Sequence, residues 1–279
     1  MTTSASEPRY FFIIGAMKAG TTSLYNYLAD HPDLYASPKK EPRVLRDPGT
    51  PDALRAAFLA LFEGRRQETW CFEGSTAYTK YPKVSGVVDR MHALVPDARF
   101  VYLLRNPVER TWSHYVHNVA QGREVRPFAE ALETSPQYLD VSRYHMQIEQ
   151  YLRRFPRQHL LLQIFEEMTQ DPEATVRAVC DFLEVDGSYR PPASGIAHNA
   201  SGRKRAAAAP LRVMRRLGVE GMLPWRVRHT LKQQGKPLPD KKVVFTPELR
   251  RTVTAALESD VNALFKVLGR RVSAWSDFA

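Results

Sequence analysis

One nine-residue stretch, Gly15-Ala16-Met17-Lys18-Ala19-Gly20-Thr21-Thr22-Ser23, constrains this chain more than any other feature. Before it stands RYFFII at residues 9–14, a short apolar run that reads as a buried strand. After it, residues 21–29 place Leu24, Tyr25 and Leu28 at helical spacing. Strand, glycine-flanked loop and helix follow one another directly. Glycines let backbone N–H groups approach an anion, and the following helix aims its positive end at the same point. Lys18 adds a full charge, and Thr21, Thr22 and Ser23 add hydroxyl donors. A plain strand-to-helix turn is the alternative, but the convergence of lysine, glycine and three hydroxyls argues for a phosphate cradle.

The rest of the chain extends the same pattern. Residues 52–62 look helical, residues 70–73 form a short strand candidate, and RFVYLL at 99–104 is a second buried strand. Asn106 and Pro107 then cap and open a helix running to about Val119. A helix over 144–155, a strand over 159–165 and a helix over 169–183 follow. Alternating strands and helices predict an α/β, P-loop-like three-layer fold, a central parallel sheet flanked by helices. Thr246-Pro247-Glu248 starts a long amphipathic helix through Leu268, giving a helical C-terminal portion. No linker divides the chain, so residues 1–279 are read as one domain. Residues 1–8 are expected to be flexible, and 187–245 to form a loop-rich basic segment over the active site.

Composition narrows the partners. Only Cys71 and Cys180 are present, which gives no metal-ligand spacing and no disulfide framework. No apolar run approaches the roughly 18 residues of a membrane span, and the first ten residues lack a secretory signal, so a cytoplasmic protein is expected. The net charge is +10. Between positions 203 and 251 fourteen Lys or Arg face three Asp or Glu, a local +11. Such a basic third implies an anionic partner: a nucleotide, a sulfated or phosphorylated substrate, nucleic acid or an acidic surface.

An NTPase P-loop needs Lys directly after the last glycine, then Ser or Thr for magnesium. Here Thr21 follows Gly20, and Lys18 lies two residues before it. The 99–104 strand runs into Arg105 rather than an acidic metal ligand. The physical inference is a nucleotide handled without metal. His114 and His117 have an i, i+3 spacing, but no Cys or carboxylate nearby completes a set, so no metal is expected. Arg105 sits at a strand's carboxyl end, where open α/β sheets bind ligands. Ser113 lies about two turns along the next helix. An arginine fork plus a hydroxyl suits a terminal phosphate dianion.

At these residues the chain resembles the sulfotransferases that use 3′-phosphoadenosine 5′-phosphosulfate (PAPS). FIIGAMKAGTTSLYNYLADHP at 12–32 is similar to the family's 5′-phosphosulfate loop, in the branch with heparan sulfate sulfotransferases and bacterial relatives. PKKEP at 38–42, FEGSTAY at 72–78, LLRNPVERTWSHYVH at 103–117 and SGRKR at 201–205 continue the likeness, which covers nearly the whole chain. The resemblance implies transfer of a sulfuryl group from PAPS to a hydroxyl or amine, releasing 3′,5′-ADP. It places Lys18, Ala19, Gly20, Thr21, Thr22 and Ser23 around the 5′-phosphosulfate, and Arg105 and Ser113 on the 3′-phosphate. Ser201, Gly202, Arg203, Lys204 and Arg205 resemble the late loop that closes over the nucleotide, although relatives often begin it with Lys. Catalysis falls to Lys18 at the departing oxygen and Glu41 as the base. His117, four residues after Ser113 on the same helix face, is a second candidate base or a positioning group.

Two departures concern the acceptor. Heparan-modifying relatives usually follow KEP with an aromatic or His segment where this chain has Arg43-Val44-Leu45, and carry Lys where it has Gly74. A glycan, lipid or secondary metabolite is therefore equally open as acceptor, and the charge of the chain would suit an anionic one. Rival readings are a P-loop kinase or NTPase, and a noncatalytic basic binding protein. Regular aromatic interleaving of the kind that single-strand binders use is missing from the basic third, and no nucleic-acid partner is expected.

Overall fold

Five parallel strands make the sheet of this computed structural model, which describes residues 7–191 and 244–279. They are β1 (Arg9–Gly15), β2 (Leu34–Ala36), β3 (Trp70–Gly74), β4 (Arg99–Leu104) and β5 (Leu160–Ile164). Their order across the sheet is β2-β3-β1-β4-β5. β1 pairs with β3 through Phe11 opposite Phe72, and with β4 through Ile13 opposite Val101. β1 is thus the centre, with earlier-returning strands on one side and later ones on the other. That reversal opens a crevice at the strands' carboxyl ends, the usual ligand site of open α/β sheets.

The strand sequences explain the layers. Phe11, Phe12, Ile13 and Ile14 are all buried, because helices cover both faces of a parallel sheet. Phe11 stacks on Phe72 with ring centroids 4.6 Å apart, and Phe12 stacks on Phe100 at 5.8 Å. These aromatic pairs lie on neighbouring strands and fix the register around β1.

Helices α1 (Thr21–Ala29), α2 (Pro51–Leu59), α3 (Val87–Leu94), α4 (Pro107–Ala120), α5 (Phe128–Thr134), α6 (Gln137–Asp140), α7 (Tyr144–Leu152), α8 (Phe165–Gln170), α9 (Pro172–Leu183) and α10 (Pro247–Leu268) are the α-helices of the described residues. Four of the ten start on a side-chain cap followed by proline. Asn106 Oδ1 accepts the N–H of Val108 at 3.0 Å and of Glu109 at 3.2 Å, with Pro107 opening α4. Thr246 caps α10 through the N–H of Leu249 at 3.3 Å, ahead of Pro247. The expected helix over 169–183 is two helices instead. Asp171 takes an extended conformation between α8 and α9, as a residue preceding proline prefers, and its carboxylate caps α9 through Ala174 N–H at 2.8 Å.

The C-terminal part locks onto the crevice from outside. Asp260 of α10 accepts the N–H groups of His145 (3.0 Å) and Met146 (2.9 Å) at the start of α7. Asp277 accepts from Arg250 at 2.6 Å and from Asn106 at 2.8 Å. Trp275, fully buried, donates its indole N–H to Glu166 at 3.1 Å, and the same carboxylate accepts the N–H of Asn106 at 2.9 Å.

Candidate functional site

The β1–α1 loop has the geometry of an anion cradle. Gly20 is the N-cap of α1 in the left-handed region, and no side chain caps the helix. The N–H groups of Ser23 and Leu24 both turn back to the Gly20 carbonyl, at 2.9 and 3.2 Å. Among the described residues, no acceptor then remains for the N–H groups of Gly20, Thr21 and Thr22. Such N–H groups at a helix start bind anions. Both flanking glycines are obligatory. A Cβ on Gly15 would stand 2.3 Å from Thr79 Oγ1, and one on Gly20 would stand 2.7 Å from the Phe165 ring. Both also have positive φ, +154° and +85°.

Lys18 has φ 74°, a conformation uncommon for a residue with a Cβ. Its carbonyl oxygen accepts from Arg105 Nη1 at 3.2 Å. Arg105, at the end of β4, lies with its guanidinium 5.2 Å from the Phe165 ring centroid. Its backbone is pinned by Tyr144, whose hydroxyl donates to the Arg105 carbonyl at 2.8 Å. Lys18 and Arg105 are thereby brought to one place from two strands.

Along α4, Ser113 and His117 are half-buried and one helical turn apart. No hydrogen bond joins Ser113 to Arg105 among the described residues. His114 points inward instead. Burial, then the charges of Arg110, Lys80, His117 and Lys18, pulls its imidazole down to about 2, so it is neutral. Arg110 is fully buried and donates to the Tyr138 carbonyl at 2.5 Å and to Ser142. It carries a positive charge beneath the crevice.

Glu41 lies on the other side of β1, in the segment after β2. Its N–H donates to the Gly74 carbonyl at 3.0 Å, and Thr76 Oγ1 donates to Glu41 Oε1 at 2.9 Å. Lys40 is 3.7 Å from Oε1, and Arg43 pairs with Oε2. Burial would raise the carboxyl, but Arg43, Lys40 and Thr76 together hold it below the ordinary range, so it is ionised at neutral pH. Glu41 and Arg43 have φ 58° and 61° on either side of Pro42. This unusual backbone is fixed from outside, since Arg43 N–H donates to Ser75 Oγ at 3.1 Å and Ser75 donates to Glu73 at 2.7 Å.

Glu73 is the buried anchor of that network. Burial pushes its carboxyl up to about 7, against hydrogen bonds from Tyr78 and Ser75 and the charge of Lys40. Sequence reasoning missed Thr76, Arg43, Thr79 and Glu73 as parts of the site. Glu73 and Thr76 lie inside the FEGSTAY segment and Thr79 directly follows it, while Arg43 stood out only as a departure from the heparan-modifying relatives. Residues 201–205 lie outside the described part. Among the described residues, no group of three His, Cys, Asp or Glu side chains is placed to hold a metal ion.

A parallel sheet with an N–H-lined loop at its switch point, flanked by an arginine and a carboxylate, defines an α/β protein of the P-loop-like class. The Sulfotransferase family model matches residues 49–189, and the chain belongs to that family. It is 27% identical over 182 residues to heparan sulfate glucosamine 3-O-sulfotransferase 6 of Mus musculus, covering 61% of this chain and 51% of that protein. The chain therefore spans about half the length of the curated relatives it matches. Its fold matches the solved sulfotransferase from Alicyclobacillus acidocaldarius with TM-score 0.70 and 29% identity, over 97% of this chain and 99% of that one. Mouse sulfotransferase SULT7A1, solved in complex with PAP, has TM-score 0.51 and 13% identity over 98% of this chain and 89% of that one, a likeness of fold alone.

Proposed function

We propose that this protein transfers a sulfuryl group from PAPS to a hydroxyl or amine of an acceptor molecule. The observation that carries the reading is the contact between Arg105 and the Lys18 carbonyl. It sets an arginine suited to a phosphate dianion beside a loop suited to a second anionic group, as a doubly phosphorylated nucleotide requires.

The residues divide the work. Thr21, Thr22 and Ser23, with the free N–H groups of the loop, bind the 5′-phosphosulfate. Arg105 and Ser113 hold the 3′-phosphate. Glu41, already ionised, takes the acceptor's proton as the acceptor oxygen or nitrogen bonds to sulfur. The bond from sulfur to the bridging oxygen breaks, its electron pair stays on that oxygen, and Lys18 neutralises the charge formed there. The product nucleotide is 3′,5′-ADP. His117 positions the acceptor from α4. Ser201, Gly202, Arg203, Lys204 and Arg205, outside the described residues, are assigned to the nucleotide by resemblance alone. Membership of the sulfotransferase family and the PAP bound in a neighbour of the same fold support this reading. The acceptor is a glycan, lipid or secondary metabolite; a relative named for heparan sulfate glucosamine favours the glycan.

Calorimetric titration separates this from any generic nucleotide site. The expected result is strong preference for 3′,5′-ADP over 5′-ADP. Equal binding of the two would remove the 3′-phosphate site and the proposal with it.

A further inference from the structure

Lys80 is a charged side chain of the crevice that the reaction above leaves without a task. It directly follows Thr79, whose hydroxyl donates to the Ile14 carbonyl at 2.9 Å, one residue before the donor loop. Its backbone is held on both sides. Tyr151 donates to the Tyr78 carbonyl at 3.1 Å, and the Gln147 side chain accepts from Tyr81 N–H at 2.9 Å and donates to Tyr81 O at 2.8 Å.

The segment that ends at Lys80 bridges the two halves of the site, since Thr76 holds Glu41 at 2.9 Å and Thr79 holds the Ile14 carbonyl at 2.9 Å. On the acceptor side it lies within electrostatic reach of Glu41 and Arg43. On the donor side it acts on His114 together with Lys18, His117 and Arg110. Glu41 is already engaged by Arg43, Lys40 and Thr76. Among the described residues Lys80 forms no salt bridge, although it is half-buried. A cation withdrawn from water without a paired anion is costly, and it persists where a ligand supplies the missing charge. Burial lowers the ammonium to about 8, so it still carries its charge at pH 7.

A transferring sulfuryl group brings its own negative oxygens, located between the departing bridging oxygen and the acceptor. We propose that Lys80 is a second cation of the reaction centre, with its ammonium on the sulfuryl oxygens of the donor. Lys18 serves the leaving oxygen, Lys80 the group in flight, and Lys80 keeps its proton throughout. The rigid backbone on both sides preorganises the contact. This assignment rests on the PAPS reading and gives that site a specificity element: Lys80 distinguishes the loaded donor from its desulfated product.

The test needs no acceptor. Wild type, Lys80→Met and Lys80→Arg are titrated calorimetrically with PAPS and with 3′,5′-ADP. Lys80→Met should lose roughly tenfold or more in PAPS affinity, the scale of one lost charge-assisted contact, and keep its affinity for 3′,5′-ADP. Lys80→Arg should recover most of the loss. Equal weakening of both ligands, or PAPS affinity unchanged in Lys80→Met, would overturn the assignment. The near-isosteric Lys80→Gln is read the same way should Lys80→Met not fold. A wild-type protein that binds neither ligand would sink the donor reading and this assignment together. Loss of both ligands, or of neither, in the variants sinks the Lys80 assignment alone.

Discussion

Lys18, Glu41 and Arg43 all adopt left-handed backbone conformations, and all three lie at the crevice. Each such residue stores strain of order 1–3 kcal/mol, held in place by the surrounding hydrogen bonds. Lys18→Ala keeps a Cβ and therefore keeps that strain, removing only the ammonium. It should reduce transfer by roughly 10²–10³-fold in a steady-state assay, with the circular dichroism spectrum unchanged. Glu41→Gln should lower turnover by roughly 10²–10⁴-fold while leaving 3′,5′-ADP affinity intact, read by kinetics beside calorimetry. Unchanged turnover would move the base to His117. Glu73 offers a pH test. Its folded carboxyl, at about 7, titrates above its unfolded value, so the folded state is favoured while the group is protonated. That advantage is full below the unfolded pKa and is lost as pH rises through about 7. Glu73→Gln should therefore exceed wild type in stability at pH 8, by on the order of 2–3 kcal/mol, and converge with it near pH 4. Denaturant titrations at the two pH values decide it; a constant difference would reject the buried titration.

At the level of elements, the sequence reveals most where one rule acts alone. RYFFII and RFVYLL are strands because continuous apolar runs suit a doubly covered sheet, and they are the central β1 and β4. The Asn106-Pro107 and Thr246-Pro247 starts were legible because cap chemistry is local. β2, three residues long, is too short for any periodicity to register, and α3 has a weak apolar face of Val87, Val88 and Met91. The loop from Gly15 to Ser23 could be read as a phosphate cradle from residue types. The strained turn at Glu41 could not, because glutamate and arginine carry no mark of a positive φ; tertiary contacts to Gly74 and Ser75 impose it. Long-range caps are equally hidden. Asp260 on α10 satisfies the first turn of α7 from 115 and 114 residues away in sequence. Asp260→Ala should cost about 1–2 kcal/mol in a denaturant titration. Because Tyr144 in that turn holds the Arg105 carbonyl, the same variant should also narrow the preference for 3′,5′-ADP over 5′-ADP. Full preference retained would uncouple the cap from the crevice.

Across the whole molecule, the C-terminal residues close a circuit back to the site. Trp275 is completely buried, with its ring centroid 6.2 Å from that of Tyr144 and 6.0 Å from that of Phe265, and its N–H reaches Glu166 beneath Asn106. Trp275→Ala should destabilise the protein by about 3–5 kcal/mol, visible as a lower thermal midpoint. A midpoint unchanged from wild type would show that this end of the chain contributes little to the core. The strand order has a broader result. With β1 in the middle, Glu41, Thr76 and Lys80 belong to one wing of the sheet, and Arg105, Ser113 and His117 to the other. The wings share β1 and the loop at its tip, and they touch again where Tyr151 and Gln147 hold Tyr78 and Tyr81. On the proposed reaction, a lineage could rewrite the segment around Glu41 that meets the acceptor, trading one sulfated product for another, while the β1 loop, Lys80 and Arg105 keep the same hold on the donor.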